Sequence, residues 1–410
     1  MKVLRTLHYA VPVAIATFFG ALTLEPVQRA LIYLHWVHWP LPPFSHFSTP
    51  GYHGFAPAKV RNLRLETPDR AQIGAWLVMA DRAYDEAIDA DPTGFEQGQF
   101  NDDMFRNALR SPDYPTVIYL HGNAATRALP NRVRVLQKLS AMNCNVLAID
   151  YRGFGDSTSD PPPTEQGVLI DARRAFDYLH LEHDVKPSQI VVMGQSLGTG
   201  IGTALAAQLE EEGMPIRALV LIAPFSSIAT LLETYKLAKY IPLVSPLKAI
   251  PWLFTRLLGS LRTRLDSGSV ISAISSRILL VHSADDPVIP YSHSESLANV
   301  LLEPFLAKAV ADLTGPDRSK DTTFTVNEPG SSATENDKAI EKRRIARERL
   351  VHEERVGGWG TVRSFDRALK GQGRVVWAQA EQGQHTFIGE TEYVMRLVRS
   401  IIFDADRTVR

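Results

Sequence analysis

The chain has 410 residues, 45% of them hydrophobic, enough for one large domain or two small ones around a sizeable core. Its 44 Lys and Arg against 45 Asp and Glu leave a formal charge of -1, which offers nothing to a nucleic-acid backbone. The single cysteine, Cys144, excludes an intrachain disulfide and reads as an inert, small hydrophobe at a strand edge.

Residues His8 to Leu24 are mostly apolar and carry no charge if His8 is neutral; Lys2 and Arg5 precede them and Glu25 ends the run. At about seventeen residues the run sits at the short end of what spans a bilayer. Ala30 to Trp39 comes next, with Tyr33, Trp36 and Trp39 suited to a membrane–water interface. We read residues 1–39 as a single-pass N-terminal anchor with a cytosolic start; an interfacial helix and a cleaved signal are the alternatives. Residues 40–57 read as a Pro- and aromatic-rich linker, and 58–410 as the folded domain. That domain opens with strand patterns over Val60–Leu65 and Ala71–Val78, an antiparallel hairpin turning at Pro68. Asp81 to Asp113 is acidic and broken by Gly and Pro, and reads as a surface excursion.

From Thr116 buried strands alternate with amphipathic helices. Strands are expected at Val117–Leu120, Asn145–Ile149, Ile190–Gly194, Ala218–Ala223 and Ile278–Val281, and helices at Arg132–Leu139, Thr164–Leu179 and Ile201–Leu209. The expectation is an α/β fold, a mostly parallel central sheet with helices on both faces. Two insertions interrupt it. Residues 226–275 are apolar and proline-broken, carrying Tyr240, Trp252 and Phe254, and read as a lid over an apolar substrate site or as ordinary packed helices. Residues 304–373 read as a charged insertion, with Gly315–Asp337 disordered and Lys338–Glu354 a solvated helix. The last strand, Arg374–Ala378, leads to His385 and a closing helix over Tyr393–Ile402.

The chemistry centres on Gly194-Gln195-Ser196-Leu197-Gly198, between a β-branched strand and a small-residue helix. That context turns a serine into a nucleophile on a strained strand-to-helix corner, where Gly194 and Gly198 remove side chains that would collide. A serine hydroxyl needs a base, and the base an acid to hold its tautomer. On such sheets acid and base come later in the chain, each from a loop at a strand's C-terminal end. Asp285 and Asp286 come after one strand and His385 after another. Asp286 fits the spacing of Asp286-Pro287-Val288-Ile289-Pro290 better, with Asp285 as its neighbour. An oxyanion hole is expected from the N–H groups of Leu197 and Asn123, with His121 and Gly122 shaping the second loop. No metal-ligand spacing stands out and no cofactor is expected.

Four segments carry a resemblance: Tyr119 to Arg127, Asp150 to Asp156, Gly194 to Gly200 and His282 to Pro290. Over 58–302 and 374–403 the chain resembles the α/β-hydrolase superfamily. More narrowly it is similar to the membrane-anchored monoacylglycerol and lysophosphatidylserine lipases of the α/β-hydrolase-domain-containing group. The family's nucleophile falls on Ser196, its acid on Asp286 and its base on His385. Gln195 departs from the histidine that many relatives carry there, outside the catalytic set, and the 304–373 insertion is long for the family. The resemblance implies a lipid acyl-ester substrate and a membrane location in the endoplasmic reticulum or another endomembrane. A thioesterase or peptidase on the same scaffold, and a catalytically silent membrane-tethered binding protein, are the competing readings.

Overall fold

The computed structural model describes residues 17–41, 44–234, 236–237, 241–242, 248–314, 335–367 and 371–403. Its centre is a ten-stranded sheet. The strands are β1 (Val60–Glu66), β2 (Gln72–Val78), β3 (Thr116–Leu120), β4 (Asn145–Ile149), β5 (Ile190–Gln195), β6 (Ala218–Ile222), β7 (Arg277–Ser283), β8 (His352–Val356), β9 (Gly360–Phe365) and β10 (Val375–Ala380). Their spatial order is β1-β2-β4-β3-β5-β6-β7-β10-β9-β8. The run from β4 to β10 is parallel throughout, and an antiparallel pair borders it on each side.

Strands β3 to β6 are buried at every position because both faces are covered. Alternate residues divide cleanly between two cores. Ile118, Leu120, Leu147, Ile149, Val192, Leu219 and Leu280 point into one. Val117, Tyr119, Val146, Ala148, Val191, Val220 and Val281 point into the other. The first core is closed by helices α6 (Glu165–Asp177) and α7 (Leu197–Glu211), the second by α5 (Pro130–Ala141) and α12 (Glu392–Phe403). In α6 the expected face of Val168, Ala172, Ala175 and Phe176 is fully buried.

Four readings change. The excursion after β2 holds three helices, α2 (Asp81–Ala90), α3 (Pro92–Glu96) and α4 (Asp102–Arg110), and buries Tyr84, Phe100, Phe105 and Leu109. Its Asp91 and Asn101 look like loop formers but are N-caps, accepting from the N–H groups of Gly94 (2.9 Å) and Met104 (3.1 Å). The insertion before β10 also contributes to the sheet. Helix α10 (Ser292–Thr314) runs through Pro304, α11 (Glu335–Leu350) packs against it, and β8 and β9 extend the sheet beyond β10. His352 starts β8 rather than lying in the charged helix. Strand β8 reads His-Glu-Glu-Arg-Val because an edge strand exposes its side chains and is guarded by charge, so the apolar signal of a strand is absent. The stretch read as disordered falls mostly outside the described residues.

The N-terminal region differs as well. No helix among the described residues is long and apolar enough to cross a membrane, and most of His8–Leu24 lies outside them. The segment after that run is docked on the domain. Helix α1 (Glu25–Tyr33) buries Tyr33 completely, with its hydroxyl 3.2 Å from Thr263 Oγ1. Gln28 donates to Ser260 O (3.2 Å) and accepts from the N–H of Arg262 (3.0 Å). Leu22, Phe19 and Val27 pack with Leu253, Phe254 and Leu257 of α9 (Pro251–Gly259), inside the stretch read as a lid. The supposed linker is also held, since Trp76 Nε1 donates to Phe47 O (2.8 Å) and Phe55 is buried. Of the three lid residues, Trp252 is 70% exposed, Phe254 is half-buried and Tyr240 lies outside the described residues.

Candidate active site

Strand β5 ends at Gln195 and α7 begins at Leu197, so Ser196 alone makes the corner. Its φ of 53° and ψ of -120° are a strained combination for a residue with a side chain. Neighbouring backbone holds it there: its N–H donates to Ile222 O (2.9 Å), and its carbonyl accepts from Thr199 N (2.8 Å) and Thr199 Oγ1 (2.6 Å). The corner closes because two glycines meet. A Cβ on Gly194 would lie 2.2 Å from Gly198 O, and one on Gly198 only 2.0 Å from Leu120 O.

The sheet brings the other groups in. Strands β7 and β10 are parallel, Val281 opposite Ala378, so their C-terminal loops leave on the same side. The loop after β7 carries Asp286 and the one after β10 carries His385, on the one-turn helix Gln384–Phe387. His385 Nε2 is 2.8 Å from Ser196 Oγ, and His385 Nδ1 is 2.7 Å from Asp286 Oδ2. The carboxylate accepts from Nδ1–H, leaving Nε2 as the acceptor facing the serine hydroxyl.

The side chain of Asp286 is fully buried. Burial pushes its carboxyl up, but hydrogen bonds from His282 and His385 outweigh that and hold it below the ordinary carboxylate range. Its Oδ1 accepts from the N–H groups of Val288 (2.8 Å) and Ile289 (2.9 Å). His282 Nε2 lies 3.2 Å from Asp286 Oδ2 and 2.8 Å from Ile289 O, so a second buried histidine backs the acid. Asp285 has a different task. It accepts from Gln384 N (2.7 Å) and from the Ser283 hydroxyl, tying the acid loop to the loop of His385. The acid that touches His385 is therefore Asp286.

Opposite the serine, the register of β3 on β5 sets Leu120 beside Gly194. The loop after Leu120 therefore passes Ser196, and a Cβ on Gly122 would sit 3.2 Å from Ser196 Cβ. His121 is buried with Nδ1 2.7 Å from Gly122 O, which fits a shaping role. The Asn123 amide donates to Ile32 O (3.3 Å), so its side chain is turned to the N-terminal segment. At the N-terminus of α7 the N–H of Leu197 precedes the first intrahelical acceptor. Leu197 thus opens the helix after Ser196, and Asn123 lies in the loop that passes it. Cys144 takes no part: it is buried, and burial pushes its thiol up to about 12.

Sequence reasoning places Ser196, Asp286 and His385 but assigns nothing to His282, Arg132 or the side chain of Gln195. Their role depends on which backbone atoms lie nearby, and no motif spacing encodes that.

A sheet of this order, with Ser196, Asp286 and His385 following the C-terminal ends of three of its parallel strands, is the α/β-hydrolase fold, and a family model described as alpha/beta hydrolase fold matches residues 115–246. Among known proteins the chain is similar to lysophosphatidylserine lipase ABHD12 of Xenopus tropicalis, 29% identical over 277 residues, 67% of this chain and 65% of that one. It is 31% identical over 242 residues to protein ABHD12B of Homo sapiens, 58% of this chain and 61% of the other. The match thus spans a little under two thirds of the length of either relative. Among solved structures, an alpha-beta hydrolase from Vibrio vulnificus superposes with a TM-score of 0.50 at 16% identity, over 68% of this chain and 84% of its own.

Proposed function

We propose that the chain is a serine hydrolase that cleaves acyl esters of lipids, of the monoacylglycerol or lysophospholipid class, with Ser196, His385 and Asp286 as its catalytic residues. The observation that carries this is the unbroken relay from Asp286 Oδ2 through His385 to Ser196 Oγ, at 2.7 and 2.8 Å. In this mechanism His385 Nε2 takes the proton of Ser196 as its oxygen adds to the ester carbonyl. Asp286 keeps the imidazolium oriented. The N–H groups of Leu197 and Asn123 hold the oxyanion. Collapse expels the alcohol with the proton from His385 and leaves an acyl-serine. Water activated by His385 then releases the fatty acid and restores Ser196.

The lipid substrate is supported by the similarity to a lysophosphatidylserine lipase and by exposed apolar side chains in the N-terminal segment and the lid. Trp36, Trp39 and Phe44 of the N-terminal segment and Trp252 of the lid are more than half exposed, amphipathic or apolar rings of the kind that settle at a bilayer interface. On this reading residues 1–39 hold the protein at an endomembrane, α9 with Trp252 and Phe254 borders the acyl chain, and the domain takes its substrate from the membrane plane.

The test combines a fluorophosphonate probe with a substrate panel. Wild type should label, whereas Ser196→Ala and His385→Ala should not. Wild type should hydrolyse a long-chain monoacylglycerol or lysophosphatidylserine faster than an acyl thioester or a peptide amide. Labelling that survives in folded Ser196→Ala protein would overturn the assignment, and faster thioester cleavage would move it to a thioesterase.

A further inference from the structure

The loop beside Ser196 has an unusual backbone. Ala124 and Ala125 stand in succession at φ of 57° and 54°, the left-handed region that a β-carbon disfavours. Each such residue costs about 1–2 kcal/mol, so the conformation persists only where its surroundings impose it. Two sets of contacts do so. On the outer side the N-terminal segment accepts the loop's N–H groups: Ala124 N to Tyr33 O (3.0 Å), Ala125 N to Val37 O (2.8 Å) and Thr126 N to Trp39 O (3.2 Å). On the inner side Arg132, on the first turns of α5, takes its carbonyls. Its Nη2 donates to Gly122 O (3.2 Å), Asn123 O (3.2 Å) and Ala124 O (2.9 Å), and its Nη1 to Thr126 O (3.0 Å).

Arg132 is 5% exposed. A buried guanidinium whose hydrogen bonds go to four carbonyls of one loop is a costly arrangement for packing alone, because burial disfavours its charge. The first of those carbonyls explains it. The oxygen of Gly122 and the N–H of Asn123 belong to one planar, trans peptide and point in opposite directions. A cation on the oxygen aims that N–H away from Arg132 and polarises it as a donor. The next three N–H groups are engaged by the N-terminal segment, and the loop passes Ser196 at Gly122, so the Asn123 N–H is left to serve as the oxyanion donor.

We propose that Arg132 is a positioning residue for the oxyanion hole, holding the 122–126 loop in its left-handed form and strengthening the Asn123 donor through the Gly122 carbonyl. The inference rests on the reading of Ser196 as the nucleophile. Arg132 touches no reacting atom, so its effect belongs to the transition state and not to substrate binding.

The experiment compares wild type, Arg132→Lys and Arg132→Met for kcat, KM, thermal midpoint and inhibition by a long-chain trifluoromethyl ketone, which forms a tetrahedral oxyanion on the serine. Loss of an oxyanion donor costs about 100-fold or more in kcat, and Arg132→Met should approach that with KM within about threefold of wild type. Arg132→Lys keeps a buried cation but cannot span four carbonyls. It should fold, lose about tenfold in kcat, and bind the ketone more weakly by the same factor. Should Arg132→Met fail to fold, the lysine variant decides. A folded lysine variant with wild-type kcat and ketone affinity would overturn the inference, as would a loss carried entirely by KM. Wild type that neither labels with fluorophosphonate nor turns over would instead remove the nucleophile reading, and this inference with it.

Discussion

Gln195 holds the loop of His385 by its backbone: its Nε2 donates to His385 O (3.4 Å) and Thr386 O (3.2 Å), while its Oε1 accepts from the buried Tyr119 hydroxyl (3.0 Å). The residue immediately before Ser196 thus clamps the segment that carries His385. This matters because β6 and β7 lie between β5 and β10, so His385 must reach back across two strands to meet Ser196.

Removing that clamp should cost turnover more than binding. Gln195→Ala loses both donors, and a base displaced by about 1 Å can lose up to about 100-fold in rate. We expect kcat to fall at least tenfold with KM little changed. Gln195→Glu, which sets a carboxylate against two carbonyls, should be worse than Ala. Steady-state kinetics on the two variants checks this, and unchanged kcat in Gln195→Ala would show that the loop holds itself.

Gly198 is a packing requirement of the corner. A methyl group there meets the Leu120 carbonyl carbon and oxygen at 2.7 and 2.0 Å, backbone atoms of the central sheet that cannot step aside. Gly198→Ala should destabilise by about 3 kcal/mol or more, the upper end for overpacking. Gly202→Ala in the same helix would place its Cβ 3.1 Å from a side-chain methyl, Val192 Cγ1, and not against backbone, and should cost about 1–2 kcal/mol, less than Gly198→Ala. Urea denaturation of both proteins measures the contrast.

His293 sets a pH dependence. It lies on α10, buried, with Nδ1 3.0 Å from Ser226 Oγ and Nε2 2.9 Å from Thr234 Oγ1. Burial, with a smaller contribution from His282, pushes its pKa down to about 4, against 6.5 for a free imidazole. Below pH 6.5 the unfolded chain takes up a proton that the folded chain refuses. The stability contributed by neutral His293 is complete above pH 6.5 and declines as pH falls towards 4, by at most about 3 kcal/mol. His293→Gln should be less stable at pH 7 but lose less than wild type between pH 6.5 and 4. Parallel slopes in thermal melts across that window would assign the dependence to other groups.

The central sheet, Ser196, His385 and the Asp285-Asp286 pair were legible in the sequence because each leaves a local mark. A strand covered on both faces is a continuous apolar run, and a strand-to-helix corner needs small residues at fixed spacing around its serine. Asp286 and His385 stand just after such runs. The elements that went unread leave no local mark. Strand β8 is an edge built from charged residues, recognisable only beside β9. The helices after β2 are hidden by the Asp, Asn, Gly and Pro that cap and join them. Aromatic residues 33–39 have the composition of a membrane interface, yet Tyr33 is wholly buried and the backbone around it holds the loop beside Ser196.

By itself, then, the sequence determined the alternation of strand and helix, the glycine-framed corner at Ser196 and the placing of the later Asp and His after strand ends, since these arise from periodicity and local sterics. Only the tertiary structure decided which aspartate meets His385, that Gln195 clamps its loop, and that Arg132 and the N-terminal segment grip the loop opposite. Those depend on backbone atoms brought together from strands and loops far apart in the chain, and backbone atoms are the same in every residue.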